Sequence, residues 1–168
     1  MRRTNQLHFK LMSLVHETLY GFFRNPFKVL CAAGLQSGQR VLEVGCGPGF
    51  FTIPAAKIVG KTGSIFAVDI NPFAVRHVQK KIESEGVTNV KLALTNVGET
   101  DLTDESFDLA FLFGFGHPIG DWDIIWSELH RLLKSGGALA VEGRLRPPPG
   151  LFEPVKREGR ICRFRKVG

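Results

Sequence analysis

The chain has 168 residues, of which 43% are hydrophobic and 23% charged; this is ordinary for a globular protein and sufficient for one compact domain. Its formal net charge is +6, and the excess of basic residues is concentrated at the two ends, in residues 1–30 and 144–168. No apolar run is as long as a membrane span and no secretory signal follows the basic start, so we expect a cytoplasmic protein with no transmembrane segment.

Two helices are predicted before the first strand. Apolar residues recur near helical spacing over residues 6–23, which predicts an amphipathic helix. Asn25-Pro26 is typical of a helix start, and Gly34 is a suitable stop for a second helix. We therefore expect one compact domain made of N-terminal helices in residues 1–34 and a main body in residues 35–168.

A glycine-rich turn follows the first predicted strand, whose apolar residues begin at Val41. Gly45, Gly47 and Gly49 alternate with other residues, and a helix is predicted directly after them, from residue 51 to residue 59. Glycine permits positive φ and lets backbone N–H groups approach a ligand at the helix N-terminus. A nicotinamide-dinucleotide motif would have its third glycine at Phe50, so the pattern indicates a cofactor site of another kind.

An aspartate ends the second predicted strand, residues 64–68. Asp69 lies twenty residues after Gly49, the separation of one strand-helix-strand unit, so its carboxylate is expected at the same sheet edge as the glycine turn. There it could accept hydrogen bonds from both hydroxyls of a ribose, or serve only as a loop carboxylate. Asn71-Pro72 is predicted to cap the next helix, residues 72–85, and a third strand follows at residues 90–94.

The fourth predicted strand, residues 107–113, is nearly all apolar and therefore central in the sheet. Residues 114–118 follow its carboxyl end, where ligands bind in open α/β sheets. His117 in this segment is a candidate general base, with a loop-ordering role as the alternative. A helix is predicted over residues 121–133, and Ser135-Gly136-Gly137 is expected to stop it before a fifth strand that begins at Ala138.

The C-terminal part is predicted to form a hairpin after a proline-rich linker. Residues 147–150 cannot continue a helix because three of them are proline. Residues 152–157 and 160–166 are typical of two strands, and Glu158-Gly159 is suited to the tight turn between them.

The arrangement Glu43-x-Gly45-x-Gly47-x-Gly49 resembles the first motif of class I S-adenosylmethionine-dependent methyltransferases. Asp69, Phe107-Asp108 and the run from Lys134 to Gly137 stand at fitting distances, and the resemblance covers about residues 35–145. It implies an α/β, Rossmann-like, doubly wound sheet of seven strands in the order 3-2-1-4-5-7-6, with strand 7 antiparallel. The region after strand 5 is shortened, because the proline linker replaces a helix.

The resemblance also implies that the cofactor is S-adenosyl-L-methionine. One departure from the family is Asn96, which stands where most members have an acid that holds the adenine amino group; a plain turn role for Asn96 is the alternative. No metal is expected, and His117 is the one catalytic candidate. The expected cofactor contacts are Glu43, Gly45, Cys46, Gly47, Gly49, Asp69, Ile70, Asn96, Val97 and Phe113.

The implied reaction is methyl transfer by in-line displacement. The phenylalanines near the expected mouth suggest a small, partly apolar acceptor, although those of the N-terminal helices could equally pack on the sheet. One alternative is an RNA methyltransferase that uses the basic ends. Another is a non-catalytic cofactor-binding protein of the same fold. The acceptor atom and the oligomeric state do not follow from the sequence.

Overall fold

The computed structural model describes residues 24–114 and 121–168, which form a seven-stranded sheet with helices on both faces. The predicted helix over residues 6–23, and His117, lie outside these residues. In chain order the elements are α1 Pro26–Ala33, β1 Arg40–Val44, α2 Thr52–Val59, β2 Ser64–Asp69, α3 Pro72–Ser84, β3 Val90–Leu94, a 3-10 turn Val97–Glu99, β4 Phe107–Leu112, α4 Trp122–Leu132, β5 Leu133–Glu142, β6 Phe152–Glu158 and β7 Ile161–Lys166.

The strand order is β3-β2-β1-β4-β5-β7-β6, as predicted. The first five strands run parallel, and β7 is antiparallel to both of its neighbours, β5 and β6. Val44 at the end of β1 is level with Val68 in β2 and with Leu112 in β4. The carboxyl ends of these three strands therefore meet at one edge of the sheet.

The core is divided by the sheet into two layers. Successive residues of β1 supply opposite layers: Val41 packs with α1, α2 and α3, whereas Leu42 and Val44 pack with α4. Among the described residues, α4 is the one helix on its face of the sheet. The β3–β4 connection contains the 3-10 turn in place of a helix, and the β5–β6 connection contains the proline linker.

Helix starts are set by the residues that the sequence indicated. The side chain of Asn25 accepts hydrogen bonds from the backbone N–H groups of Phe27 and Lys28, and Asn71 caps α3 in the same way. Gly34 ends α1 with a φ of 92°. No helix within residues 24–114 and 121–168 has the length and apolar character needed to cross a bilayer.

Two predicted boundaries near the C-terminus are wrong. Strand β5 begins at Leu133 rather than Ala138, because the Ser135–Gly137 segment forms a bulge inside the strand instead of a turn before it. Phe107 of β4 pairs with Leu133 of β5, and the next pair is Leu109 with Ala138. Between these two pairs β5 advances by five residues while β4 advances by two, so the extra residues of β5 form the bulge. Helix α4 consequently ends one residue earlier than expected, at Leu132.

The β6–β7 hairpin is confirmed, but its turn is shifted by one residue. Glu158 pairs with Ile161, so the two turn residues are Gly159 and Arg160 instead of Glu158 and Gly159. Gly159 has a φ of 58°, which a two-residue hairpin turn favours at this position.

Candidate functional site

The glycine turn after β1 is held against the end of β2 by backbone hydrogen bonds. The N–H groups of Gly45 and Cys46 both donate to the carbonyl oxygen of Val68, at 2.8 and 3.1 Å. Gly45, Gly47 and Gly49 all have positive φ, between 50° and 79°. A residue with a Cβ atom would be strained at these φ values, so the turn favours glycine at all three positions. A Cβ atom added to Gly47 would meet no heavy atom within 4 Å, so open space borders the turn there.

Asp69 connects the turn to the start of α3. One carboxylate oxygen accepts from the Gly47 N–H at 2.8 Å, and the other accepts from the Asn71 N–H at the same distance. Each carboxylate oxygen has a second lone pair, so both can still accept a hydrogen bond from a ligand. The structure thus brings Asp69 and the glycine turn together at the carboxyl edge, as the sequence predicts.

Glu43 is a buried acid in the middle of the sheet, with 2% of its surface exposed. Burial raises the pKa of its carboxyl group to about 8; the nearby Thr52 hydroxyl opposes the rise, and the negative charge of Asp69 adds to it. Neither Oε2 of Glu43 nor Oγ1 of Thr52 completes a well-formed hydrogen bond. An orphaned buried carboxyl oxygen one strand away from Asp69 leaves a polar group that a ligand at this edge could satisfy by a hydrogen bond.

Cys46 is buried within the glycine turn and forms no disulfide. Burial is the main cause that raises the pKa of its thiol, and the negative charges of Glu43 and Asp69 raise it further. A thiol held in its neutral form is a poor nucleophile. Burial therefore holds the Cys46 thiol in its neutral form within the turn.

A cleft opens beside the turn, with about 330 Å³ of empty space counted out to its mouth. Five of the predicted cofactor contacts line it, together with Val44, Val68 and Thr95. Those five residues are Gly45, Asp69, Ile70, Asn96 and Val97.

Asn96 is expected either to contact the adenine or to act only as a turn residue, and its position supports both roles. Its side-chain oxygen accepts from the Gly98 N–H at 3.2 Å and so caps the 3-10 turn, as a turn residue does. The same residue lines the cleft, where an adenine contact would be made. Ile70 is 62% exposed at this edge, which leaves an apolar surface for a flat ring.

An aromatic cluster adjoins the other side of the turn. The ring of Phe51 lies 4.9 Å from that of Phe50 and 5.2 Å from that of Phe113, centroid to centroid. Phe113 also stacks on Phe111 at 4.9 Å. Phe113 thus belongs to this cluster rather than to the cleft, although the sequence placed it among the cofactor contacts.

An ion-pair cluster lies at the carboxyl end of β5. Glu142, the last residue of β5, accepts a hydrogen bond from the Gly114 N–H at 3.1 Å. It also pairs with Arg24 at 2.9 Å and with Arg160 at 3.2 Å. The guanidinium of Arg24 lies 5.4 Å from the centroid of the Phe51 ring. No sequence motif links Arg24 to Glu142, which is 118 residues away.

These features suit S-adenosylmethionine, which has two cationic groups and a carboxylate. Asp69 supplies negative charge, and the buried carboxyl group of Glu43 has an oxygen without a protein partner. Helix α2 begins at Thr52 without a side-chain cap, so its first N–H groups can receive a carboxylate. The open space beside Gly47 leaves room for the ligand next to the backbone.

Comparison with known proteins identifies the family of this chain. The family described as "Methyltransferase domain" matches residues 35–144. A demethylmenaquinone methyltransferase of Geobacillus stearothermophilus is 32% identical over 110 residues, which cover 65% of this chain and 47% of the relative. The ubiquinone/menaquinone biosynthesis C-methyltransferase UbiE of Psychromonas ingrahamii is 33% identical over 133 residues, which cover 78% of this chain and 51% of the relative. The chain spans about half the length of these curated relatives.

A solved structure matches along nearly the whole chain. The S-adenosylmethionine-dependent methyltransferase from Aquifex aeolicus has a TM-score of 0.75 and 25% sequence identity, and the match covers 96% of this chain and 97% of the other. The family match spans well over half of the chain, and the strand order is the one that the family motif implied. The chain therefore belongs to the class I S-adenosylmethionine-dependent methyltransferase family.

Proposed function

We propose that this protein transfers a methyl group from S-adenosylmethionine to a ring carbon of a small, partly apolar quinol. The observation that carries the proposal is the aromatic cluster beside the glycine turn, in which the half-buried ring of Phe51 rests against the half-buried Phe50 and the buried Phe113. Such a surface favours a flat apolar acceptor through ring contacts. The two relatives described above, named for menaquinone and ubiquinone biosynthesis, support the same class of acceptor.

In this proposal the protein binds and orients the cofactor with the residues of the carboxyl edge. Asp69 accepts hydrogen bonds from the ribose hydroxyls, and the cleft formed by Ile70, Asn96 and Val97 holds the adenine. Glu43 offers its unsatisfied carboxyl group as a hydrogen-bond partner, and Asp69 offers negative charge to the cationic groups. When bound, S-adenosylmethionine supplies an activated methyl group that a nucleophile can take by in-line displacement. Catalysis then depends mainly on alignment of the acceptor.

The acceptor carbon must lose its proton when the new carbon–carbon bond forms. Glu142 is poorly suited to take that proton, because Arg24, Arg160 and the Gly114 N–H already engage its carboxylate. We assign the proton to His117, which follows β4 by five residues in the chain. Its ordinary pKa near neutrality suits a general base.

Residues 1–34 form a cover over the acceptor side in this proposal. The support comes from Arg24, which pairs with Glu142 at the carboxyl edge and lies over the ring of Phe51. Helix α1 continues from this contact and packs against β7. Residues 24–33 are thereby tied to the mouth of the site.

A radiolabelled methyl-transfer assay tests the proposal. The acceptors are a short-chain naphthoquinol with a free ring position, kept reduced, and a mixed RNA preparation as the second arm. We expect label in the naphthoquinol and none in RNA, and no transfer by Asp69→Ala. Phe50→Ala should raise the KM for the quinol while the Kd for S-adenosylmethionine stays unchanged. Label in RNA alone would favour the RNA methyltransferase, and cofactor binding without transfer to either acceptor would favour a non-catalytic protein.

A further inference from the structure

A second, larger groove lies between the proline linker and the β6–β7 hairpin. It holds about 1080 Å³ of empty space counted out to its open mouth. Its floor is apolar and is formed by Pro147 and Pro149 of the linker and by Phe152 and Phe164 of the hairpin. The β5–β6 connection that borders the groove contains no helix, because its prolines cannot continue one.

The rim of the groove is basic. Arg146 donates only to the backbone carbonyls of Gly143 and Leu145, and Arg157 donates only to that of Gly159. Neither arginine pairs with a carboxylate in the described part of the chain. Two cations beside an apolar floor therefore have charge available for an anionic partner.

The rim lies at the same edge of the sheet as the candidate site. Arg157 pairs with Cys162, and Cys162 pairs with Val141 near the carboxyl end of β5. Four strand-to-strand steps separate β6 from β1, which amounts to about 19 Å. A flat partner that touches the rim would therefore also face the edge at which the cofactor cleft opens.

We propose that this groove docks the protein on an anionic lipid bilayer. The arginines at the rim meet headgroup phosphates, and Val155, which is 47% exposed, meets the apolar part of the interface together with the proline linker. Lipid fits better than nucleic acid because the aromatic rings of the groove, Phe152 and Phe164, are only 3% and 6% exposed. Buried rings cannot stack on bases, and such stacking is the usual source of affinity for single strands.

Vesicle co-sedimentation of the full chain tests this docking without any cofactor or acceptor. The vesicles are phosphatidylcholine alone and an equal mixture of phosphatidylcholine and phosphatidylglycerol. The test variant combines Arg146→Glu with Arg157→Glu. The control combines Lys61→Glu with Lys80→Glu, which makes the same change in net charge at two exposed residues distant in sequence from the groove. Urea unfolding of wild type and both variants, with equal midpoints, would establish that the variants remain folded.

We expect the wild type to bind the mixed vesicles and not the phosphatidylcholine vesicles. Each basic residue near such a surface contributes about fivefold, so the test variant should bind at least about 30-fold more weakly, while the control stays within a few-fold of wild type. Val155→Asp should also weaken binding. Absence of vesicle binding, an equal loss in the control, or RNA binding that the test variant alone loses would overturn the proposal. The result is independent of the methyl-transfer assay, so the two proposals can fail separately.

Discussion

Replacement of Glu43 by glutamine should change the way stability depends on pH. Burial raises the pKa of this carboxyl group from 4.5 to about 8, against the opposing effect of Thr52 and with a further rise from Asp69. Between these two pH values the folded chain keeps a proton on Glu43 that the unfolded chain releases. The folded state binds more protons, so the free energy of unfolding must fall as the pH rises through this range.

The magnitude follows from the two pKa values. Integration of the proton difference between pH 5 and pH 8 gives a loss of about 3–4 kcal/mol in the wild type. Glutamine has nearly the same shape and no proton to release, so Glu43→Gln lacks this loss. The stability of the variant relative to wild type should therefore improve by about 3–4 kcal/mol over the same range.

Urea unfolding of both proteins at several pH values measures this difference. The fluorescence of Trp122 and Trp126, which stack on each other in α4, reports the transition. Glu99→Gln, at an exposed residue of the 3-10 turn, is the control for replacing a carboxyl group by an amide at the surface. A difference between Glu43→Gln and wild type that stays constant with pH would refute the claim that Glu43 is buried as a neutral acid.

The remaining predictions concern the cofactor site. Gly47→Ala should weaken S-adenosylmethionine binding at least about tenfold, because its Cβ enters the open space beside the turn at a φ of 50°. Gly49→Ala should instead lower the free energy of unfolding by about 1–3 kcal/mol, because its Cβ would lie 3.0 Å from Val78; equal effects of both variants on binding would contradict this contrast. Asn96→Asp should tighten binding by up to about tenfold, because a charged acceptor makes a stronger hydrogen bond. Calorimetry measures all three affinities, and weaker binding by Asn96→Asp would exclude an adenine contact at this residue.

Most of the sheet could be predicted because its signals are local. Strand β1 is buried from Val41 to Val44, and three of these four residues are apolar. The glycines that follow adopt positive φ, which is typical of a turn and not of a strand or helix. Asn25 and Asn71 mark helix starts through hydrogen bonds to residues two or three positions ahead. The position of Asp69 follows from the length of one strand-helix-strand unit.

The features that sequence reasoning missed depend on pairing between distant parts of the chain. A glycine pair such as Gly136-Gly137 can end a helix or form a bulge in a strand, and only the register with β4 decides between them. The hairpin turn is ambiguous for the same reason, because the pairing of Glu158 with Ile161 sets it. The pairing of Arg24 with Glu142 has no local signal at all.

Isothermal titration with S-adenosylmethionine tests the central claim most directly. The comparison is between wild type, Asp69→Ala, and Asp101→Ala as a matched control at an exposed residue. We predict a Kd in the micromolar range for wild type and the control, equivalent to about −8 kcal/mol at 1 μM, and a loss of at least about tenfold in Asp69→Ala. A folded wild type that does not bind, or a folded Asp69→Ala that binds like wild type, would contradict the assignment of the cofactor site to this edge of the sheet.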